Sequence, residues 1–356
     1  MSVGVVIIGR NEGERFERCL RSLVGRANPI IYVDSGSTDQ SVAFAESFAS
    51  QGVHAVRLDM TRPFTAARAR NAGLDTLLAL APTTQFVQFV DGDCEVRENW
   101  LHAGEKKLRE DPTLAAVSGR LRERFPEKTL YNRLADLEWD RPPGEEKSCG
   151  GVAMMRIEVV RAVGGFDPTL IAGEEPELCA RMRARGFRVW RLTDEMAWHD
   201  IDMTTRKQWL TRARRHGYAI IEVSYFKTQA SRGLFAKQVR SAVVWGIAWP
   251  VVIGLAAMCA VSATLITFHP RATTGDHITT YLIFCAPLAL CVFAWLMQWG
   301  RIALASIHKG LTPRQSGAYA YLLMRSKSAQ ASGMARFLLR RFRKRSPRLI
   351  DYRETS

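Results

Sequence analysis

The seven cysteines (Cys19, Cys94, Cys149, Cys179, Cys259, Cys285 and Cys291) form no CxxC pair and are odd in number. Neither a disulfide framework nor a zinc knuckle is indicated, and reduced thiols are expected. The first strand-like run lacks G-x-G-x-x-G after it, which excludes the Rossmann dinucleotide fingerprint. Met1 to Gly9 has no basic n-region and too short an apolar run for a signal peptide, so it reads as a buried strand opening a cytoplasmic domain. Charge is absent from two long stretches, 243–268 and 278–299. Each exceeds the roughly 20 residues that cross a bilayer core as a helix. With aromatic residues at their ends they predict membrane helices, in which Pro250 and Pro287 are tolerated.

What is present is a 356-residue chain of net charge +15, with nine Trp, sixteen Phe and 24% charged residues, which rules out a disordered chain. The charge is uneven: residues 1–203 are net −4, 204–241 net +8, 242–299 neutral and 300–356 net +11. An acidic first half with no interleaving of aromatic and basic residues argues against a nucleic-acid partner. The basic segments flank the apolar pair, and only His269 to His277 connect the two stretches. The positive-inside rule then predicts a hairpin with both termini and the N-terminal domain cytoplasmic, held to anionic membrane lipids by its flanks. Residues 311–345 alternate apolar and cationic positions and predict helices lying along the membrane surface, within a basic amphipathic tail over 300–356.

Ahead of the hairpin, strand-like runs at 3–9, 29–34, 53–59, 85–91 and 114–121 alternate with amphipathic helical stretches at 13–25, 39–51, 65–80 and 97–110. Such alternation predicts an α/β domain over 1–235, a mainly parallel sheet with helices on both faces. Pro142 to Gly151 reads as a loop.

Chemistry collects where these strands end. Asp91-Gly92-Asp93 sets two carboxylates at the C-terminal end of a parallel strand, where open α/β sheets bind ligands. Hard oxygen ligands suit Mg²⁺ or Mn²⁺. Asn11 and Glu12 follow the first strand. Asp34 ends the second, placed to accept hydrogen bonds from a base or ribose, and Asp39 is favoured as a helix cap. Glu174, Glu175 and Glu177 open a helix, where the macrodipole favours acids and a general base is also possible chemistry. His199 reads either as a metal ligand or as a satisfied buried histidine. Arg212 and Arg215 could fork around a diphosphate or meet lipid head groups.

The order of these segments, NEG, VDSGSTD, ARNAGL, DGD, GGFDPTL and GEEPEL, resembles the family 2 glycosyltransferases of the GT-A type over about residues 3–200. The resemblance implies a nucleotide-sugar donor and a Mg or Mn ion. It implies that Asp34 contacts the uracil or sugar, that Asp91 contacts the nucleotide-sugar, that Asp93 holds the metal, and that His199 is a further ligand. Glu175 stands where the family usually has an aspartate base, with Glu174 as the substitute and Glu177 structural. Arg70 and Asn71 lie where the family positions the diphosphate or sugar-binding loop. The Q-x-x-R-W motif of processive synthases is absent. The expected activity is inverting transfer of one sugar to a lipid-linked saccharide in envelope or exopolysaccharide assembly at the bacterial inner membrane, alongside other assembly enzymes. The alternatives are a polyprenyl-monophosphate acceptor, or a membrane-tethered binding protein without catalysis.

Overall fold

The structure, a computed structural model, describes residues 2–267 and 274–343. Its strands are β1 (Val3–Gly9), β2 (Ile30–Asp34), β3 (Val53–Arg57), β4 (Phe86–Asp91), β5 (Cys94–Val96), β6 (Leu114–Glu123), β7 (Gly144–Glu146), β8 (Ala153–Arg156) and β9 (Arg188–His199). The helices of the N-terminal domain are α1 (Glu14–Arg21), α2 (Ser41–Glu46), α3 (Ala66–Leu80), α4 (Trp100–Glu110), α5 (Leu130–Trp139), α6 (Ile157–Ala162), α7 (Glu174–Ala184) and α8 (Arg206–Phe226). Then follow α9 (Ala236–Val243), α10 (Trp249–Thr267), α11 (Thr274–Ile307) and α12 (Pro313–Phe342). The five strands expected from apolar runs all fall within two residues of their expected ends.

All nine strands join one sheet, ordered β3-β2-β1-β4-β8-β6-β9-β5, with β7 beside β9. The first four pair in parallel. Beyond β4 the sheet is mixed, a correction to the mainly parallel expectation: β8 runs antiparallel to both β4 and β6, and β5 and β7 run antiparallel to β9. Physically, β8 follows β7 through a loop with no helix between them and slots in beside β4, so its direction is free to reverse.

Successive residues of β1 feed opposite faces, as strand geometry requires. Val5 and Ile7 join a core with Phe16 and Leu20 of α1 and Trp100 of α4, while Val6 and Ile8 join one with Leu74 and Leu77 of α3 and Leu178 of α7. Both faces are thereby covered.

Two apolar helical stretches, Ala236–Ser262 and Cys285–Ile307, are long and apolar enough to cross a membrane, and little of their most apolar part is buried. A single π-helical turn at Val244–Ala248 precedes Pro250, and a widened turn accommodates a residue with no N–H to give. The connecting residues 268–273, and the end of the basic tail from 344, lie outside the described residues.

The tail is where structure and expectation part. Residues 300–307 continue α11, and α12 is one 30-residue helix packed against α8. The reason is a small-residue crossing. A Cβ on Gly217 of α8 would overlap the backbone of Gln330, and one on Gly333 of α12 would overlap the Arg214 carbonyl, so the two backbones touch. Trp209 Nε1 adds a buried hydrogen bond to Ser326 Oγ at 2.9 Å. Ile221 and Tyr218 of α8 close a core with Met334 and Phe337 of α12.

Candidate active site

A cavity of about 960 Å³ opens at the C-terminal ends of β1 and β4. It brings together ten of the residues singled out from the sequence: Asn11, Glu12, Arg70, Asp91, Asp93, Glu174, Glu175, His199, Arg212 and Arg215. The acids, Asn11 and His199 reach it from the ends of strands and of α7, whereas Arg70 projects from the body of α3 and Arg212 and Arg215 from that of α8. Gly92 allows the turn between the two aspartates, since a Cβ there would press on the Ile8 carbonyl at 3.2 Å. Gly173, at φ +83°, turns the chain into α7 and aims Glu174 and Glu175 inward.

Arg70 is the centre of this end of the cavity. Its side chain, 3% exposed, meets Asp91 at 2.9 Å, Glu174 at 2.8 Å and Glu175 at 3.0 Å. Burial opposes the guanidinium charge, but the three acids, led by Glu175, raise its affinity for the proton well above the ordinary value. One cation cannot neutralise three carboxylates. Glu175 carries the difference: burial first, then the neighbouring Glu174 carboxylate, push it up to about 7 against the pull of Arg70. Glu174 is the more buried of the pair, and Glu175, at 15% side-chain exposure, is the one that faces the cavity more openly. Glu177 is fully buried and bound to Arg181 and Thr228, a structural position. The loop residue Gly151 packs over this knot. A Cβ there would stand 2.5 Å from Asp91 Oδ2 and 2.7 Å from Arg70 Nη2.

Asp93, 2% exposed at its side chain, lies 3.2 Å from His199 Nε2. The pairing follows from register, because Cys94 of β5 stands opposite His199 of β9. Burial disfavours the imidazolium, but Asp93 outweighs it and the His199 pKa is raised. Trp139 stacks on the ring at 4.4 Å between centroids, fixing its plane. Asp93, Cys94 and His199 present ligand atoms within 4.8 Å of one another. Burial and then the two aspartates push the Cys94 thiol far up, and the carboxylate of Asp93 and the imidazole of His199 lie beside it. His199 Nδ1 is buried with no hydrogen-bond partner among the described residues. A hard carboxylate oxygen with an imidazole nitrogen is a donor set that suits a divalent cation.

The remaining residues are placed differently from one another. Asn11, at φ +53°, accepts a hydrogen bond from Thr38 N at 2.7 Å, and its own N–H goes to Ser37 Oγ, so it ties the loop after β1 to the loop after β2. Glu12 lines the floor, paired with Arg15 at 3.0 Å. Asp39 stands one residue before the N-cap Gln40 of α2, so it is not the helix cap expected of it; it accepts from Ser41 N and from Gly13 N. Asp34 does not line the main cavity. It is 3% exposed, accepts the Gly36 and Ser37 N–H groups, and borders a neighbouring cavity of about 520 Å³. Asn71 is also outside: its amide both donates to the Phe166 carbonyl at 2.8 Å and accepts from Phe166 N at 3.0 Å, so it holds the GGFDPTL turn and has little left for a ligand. Arg212 pairs with Glu138 at 2.8 Å, and Arg215 donates to the Ile171 carbonyl just before Glu174. Sequence reading missed Gly151, Trp139 and Cys94. For the first two the only signals were a Gly-Gly pair and a tryptophan in a loop-flanking helix, neither of which names a partner.

The sheet order and the acids at the strand ends define a GT-A-like α/β domain. A mannosyltransferase from Pyrobaculum calidifontis, solved with GDP-Man and Mn²⁺, shares this fold with a TM-score of 0.55 at 16% identity, over 95% of this chain and 87% of that one. Residues 4–158 match the model of glycosyl transferase family 2. Among curated proteins it is 30% identical over 230 residues to the pre-mycofactocin glycosyltransferase of Mycobacterium tuberculosis, covering 60% of this chain and 46% of that one. It is 24% identical over 203 residues to the succinoglycan biosynthesis protein ExoA of Rhizobium meliloti, covering 54% and 60%. The chain thus spans about half the length of the curated relatives it matches.

Proposed function

We propose that the chain is an inverting glycosyltransferase that moves one sugar from a nucleoside-diphosphate sugar to a hydroxyl of a lipid-linked acceptor, in envelope or exopolysaccharide synthesis. The observation that supports this most is the extent of the cavity. It reaches from Asp93 and Glu175 to Ile220 and Phe235, and Phe235 immediately precedes the apolar stretch Ala236–Ser262. An acceptor anchored in a bilayer would enter from that side, with the domain and both termini cytoplasmic at the bacterial plasma membrane.

In this reading Glu175 takes the proton from the acceptor hydroxyl as that oxygen attacks the anomeric carbon, a single displacement that inverts it. Arg70 holds Glu175 and Asp91 at fixed separation. Arg212 and Arg215 face the departing diphosphate. Asp93 and His199 would hold a divalent cation, which when bound supplies charge neutralisation for that leaving group.

The test uses the full chain in lipid nanodiscs. Nucleotide-sugars are screened by thermal stabilisation with and without Mn²⁺, and transfer to a polyprenyl-diphosphate saccharide is then assayed with the one that binds. One donor should stabilise the chain only with Mn²⁺ and be consumed with acceptor present. Stabilisation without hydrolysis or transfer to any acceptor would leave a binding protein instead.

A further inference from the structure

The C-terminal half of α12 carries positive charge in an arrangement that the cavity chemistry does not use. Arg336, Arg340 and Arg343 follow one another at helical spacing on one side of α12 and, with Leu339, line a separate cavity of about 360 Å³. A fourth guanidinium joins them from α8, where Arg214 Nε donates to Ser332 Oγ at 3.2 Å, one turn before Arg336. Other arginines of the molecule are matched by acids, as in Arg122–Asp136 at 2.7 Å and Arg188–Asp111 at 2.8 Å, or by backbone carbonyls, as in Arg215 to Ile171 at 3.0 Å. Among the described residues none of these four has a carboxylate within 4.0 Å. Arg340 meets Tyr218, yet its Nη1 is buried without a hydrogen-bond partner among those residues. Four like charges converging without a counter-ion repel one another, so the arrangement is complete only with an anion.

The surroundings say which anion. Leu338, Leu339 and Phe342 stand 44%, 55% and 88% exposed beside the arginines, an apolar rim that a free inorganic ion would not need. The same helix touches both apolar spans: a Cβ on Gly246 would overlap the Lys327 carbonyl, and Trp299 Nε1 donates to the Gly317 carbonyl at 3.2 Å. The arginine cluster therefore lies on the helix that crosses both spans, and in a bilayer holding those spans it would run at head-group level.

We propose that Arg214, Arg336, Arg340 and Arg343 form a discrete seat for the phosphate of one anionic phospholipid, whose acyl chains run over Leu339 and Phe342. This goes beyond diffuse attraction of a basic tail, and it does not depend on what the main cavity transfers. The test is native mass spectrometry of the full chain in mild detergent, titrated with phosphatidylglycerol or phosphatidylcholine. The wild type retains one phosphatidylglycerol per chain in preference to phosphatidylcholine. A triple variant, Arg336→Gln, Arg340→Gln and Arg343→Gln, binds it about tenfold more weakly, in line with the loss of charge-assisted contacts, with an unchanged melting temperature in phosphatidylcholine. If the triple variant melts early, Arg336→Gln alone, at an exposed position, replaces it and should still weaken retention severalfold. A control removing the same charge from the exposed Arg301, Arg314 and Arg325 retains the lipid as the wild type does. Equal losses in the control and the triple variant would reduce the seat to diffuse attraction and overturn it. So would equal retention of the two lipids, or displacement of the lipid by millimolar inorganic phosphate.

Discussion

The two ends of this molecule hold opposite charge in opposite ways. At the strand ends three carboxylates converge on one buried guanidinium, Arg70, and each distance is 3.0 Å or less. At the α8–α12 crossing four guanidinium groups converge on no carboxylate among the described residues. The first cluster is desolvated and holds more carboxylates than its one cation neutralises, so its effect is internal: it fixes positions and moves a proton equilibrium. The second is open to solvent and incomplete, so its effect is external. A burial difference, more than a difference in residue type, separates a site that does chemistry from a surface that holds a partner.

The sharpest break of this contrast is at the acid cluster. Glu175→Gln and Asp93→Ala should each lower transfer by about 10²–10⁴-fold, the span typical of lost general-base catalysis, while far-ultraviolet circular dichroism stays unchanged. Near-normal turnover in Glu175→Gln would remove that residue from the role and turn attention to Glu174.

Next in size is the hub itself. Arg70→Met leaves buried carboxylates facing one another and should cost about 3 kcal/mol or more of stability, as breaking one side of a buried ion pair does, read by denaturant unfolding. An unchanged unfolding midpoint would mean that the acids are solvated and the cluster is not the closed unit described above.

A third prediction concerns pH. Glu175 acts ionised and its pKa stands at about 7, so the rate should rise with pH through that value and fall as the group protonates below it. Gly151→Ala, which crowds Asp91 and Arg70, should lower the plateau of this profile. A profile flat from pH 6 to 8 would contradict the assignment.

The smallest effect lies at the other end. Gly333→Ala sets a methyl group against the Arg214 backbone and should cost about 1–3 kcal/mol, the usual price of overpacking. It should loosen α12 in hydrogen exchange and leave nucleotide binding at the strand ends intact.

Much of this was legible in the sequence because it rests on short-range patterns. Apolar runs placed β1 to β4, and the acids after β1 and β4, Glu12, Asp91 and Asp93, reached the cavity, whereas Asp34 at the end of β2 borders the neighbouring one. The turn chemistry of Asp39 was equally local, one residue ahead of the cap. What escaped reading depends on partners far along the chain. Asn71 looks like a ligand in its motif, yet it is spent on the backbone of Phe166, 95 residues away. Gly151 reads as loop flexibility until Asp91 and Arg70 arrive beneath it. Gly217 and Gly333 weaken any helix reading on propensity grounds, and only their mutual contact explains them. The amphipathic pattern of α12 was visible, but a stripe of apolar residues does not say whether lipid or protein will cover it.

That helix also sets a length. Because α12 grips α8 on one side and touches both apolar spans on the other, it ties the domain that holds the main cavity to the ends of those spans. In the proposed reading the protein is a calliper: an acceptor whose hydroxyl lies one short head group above the bilayer meets Glu175, and one extended by further sugars overshoots it. Growth by a single sugar per encounter would then follow from the rigidity of a joint between two helices, far from the atoms that react.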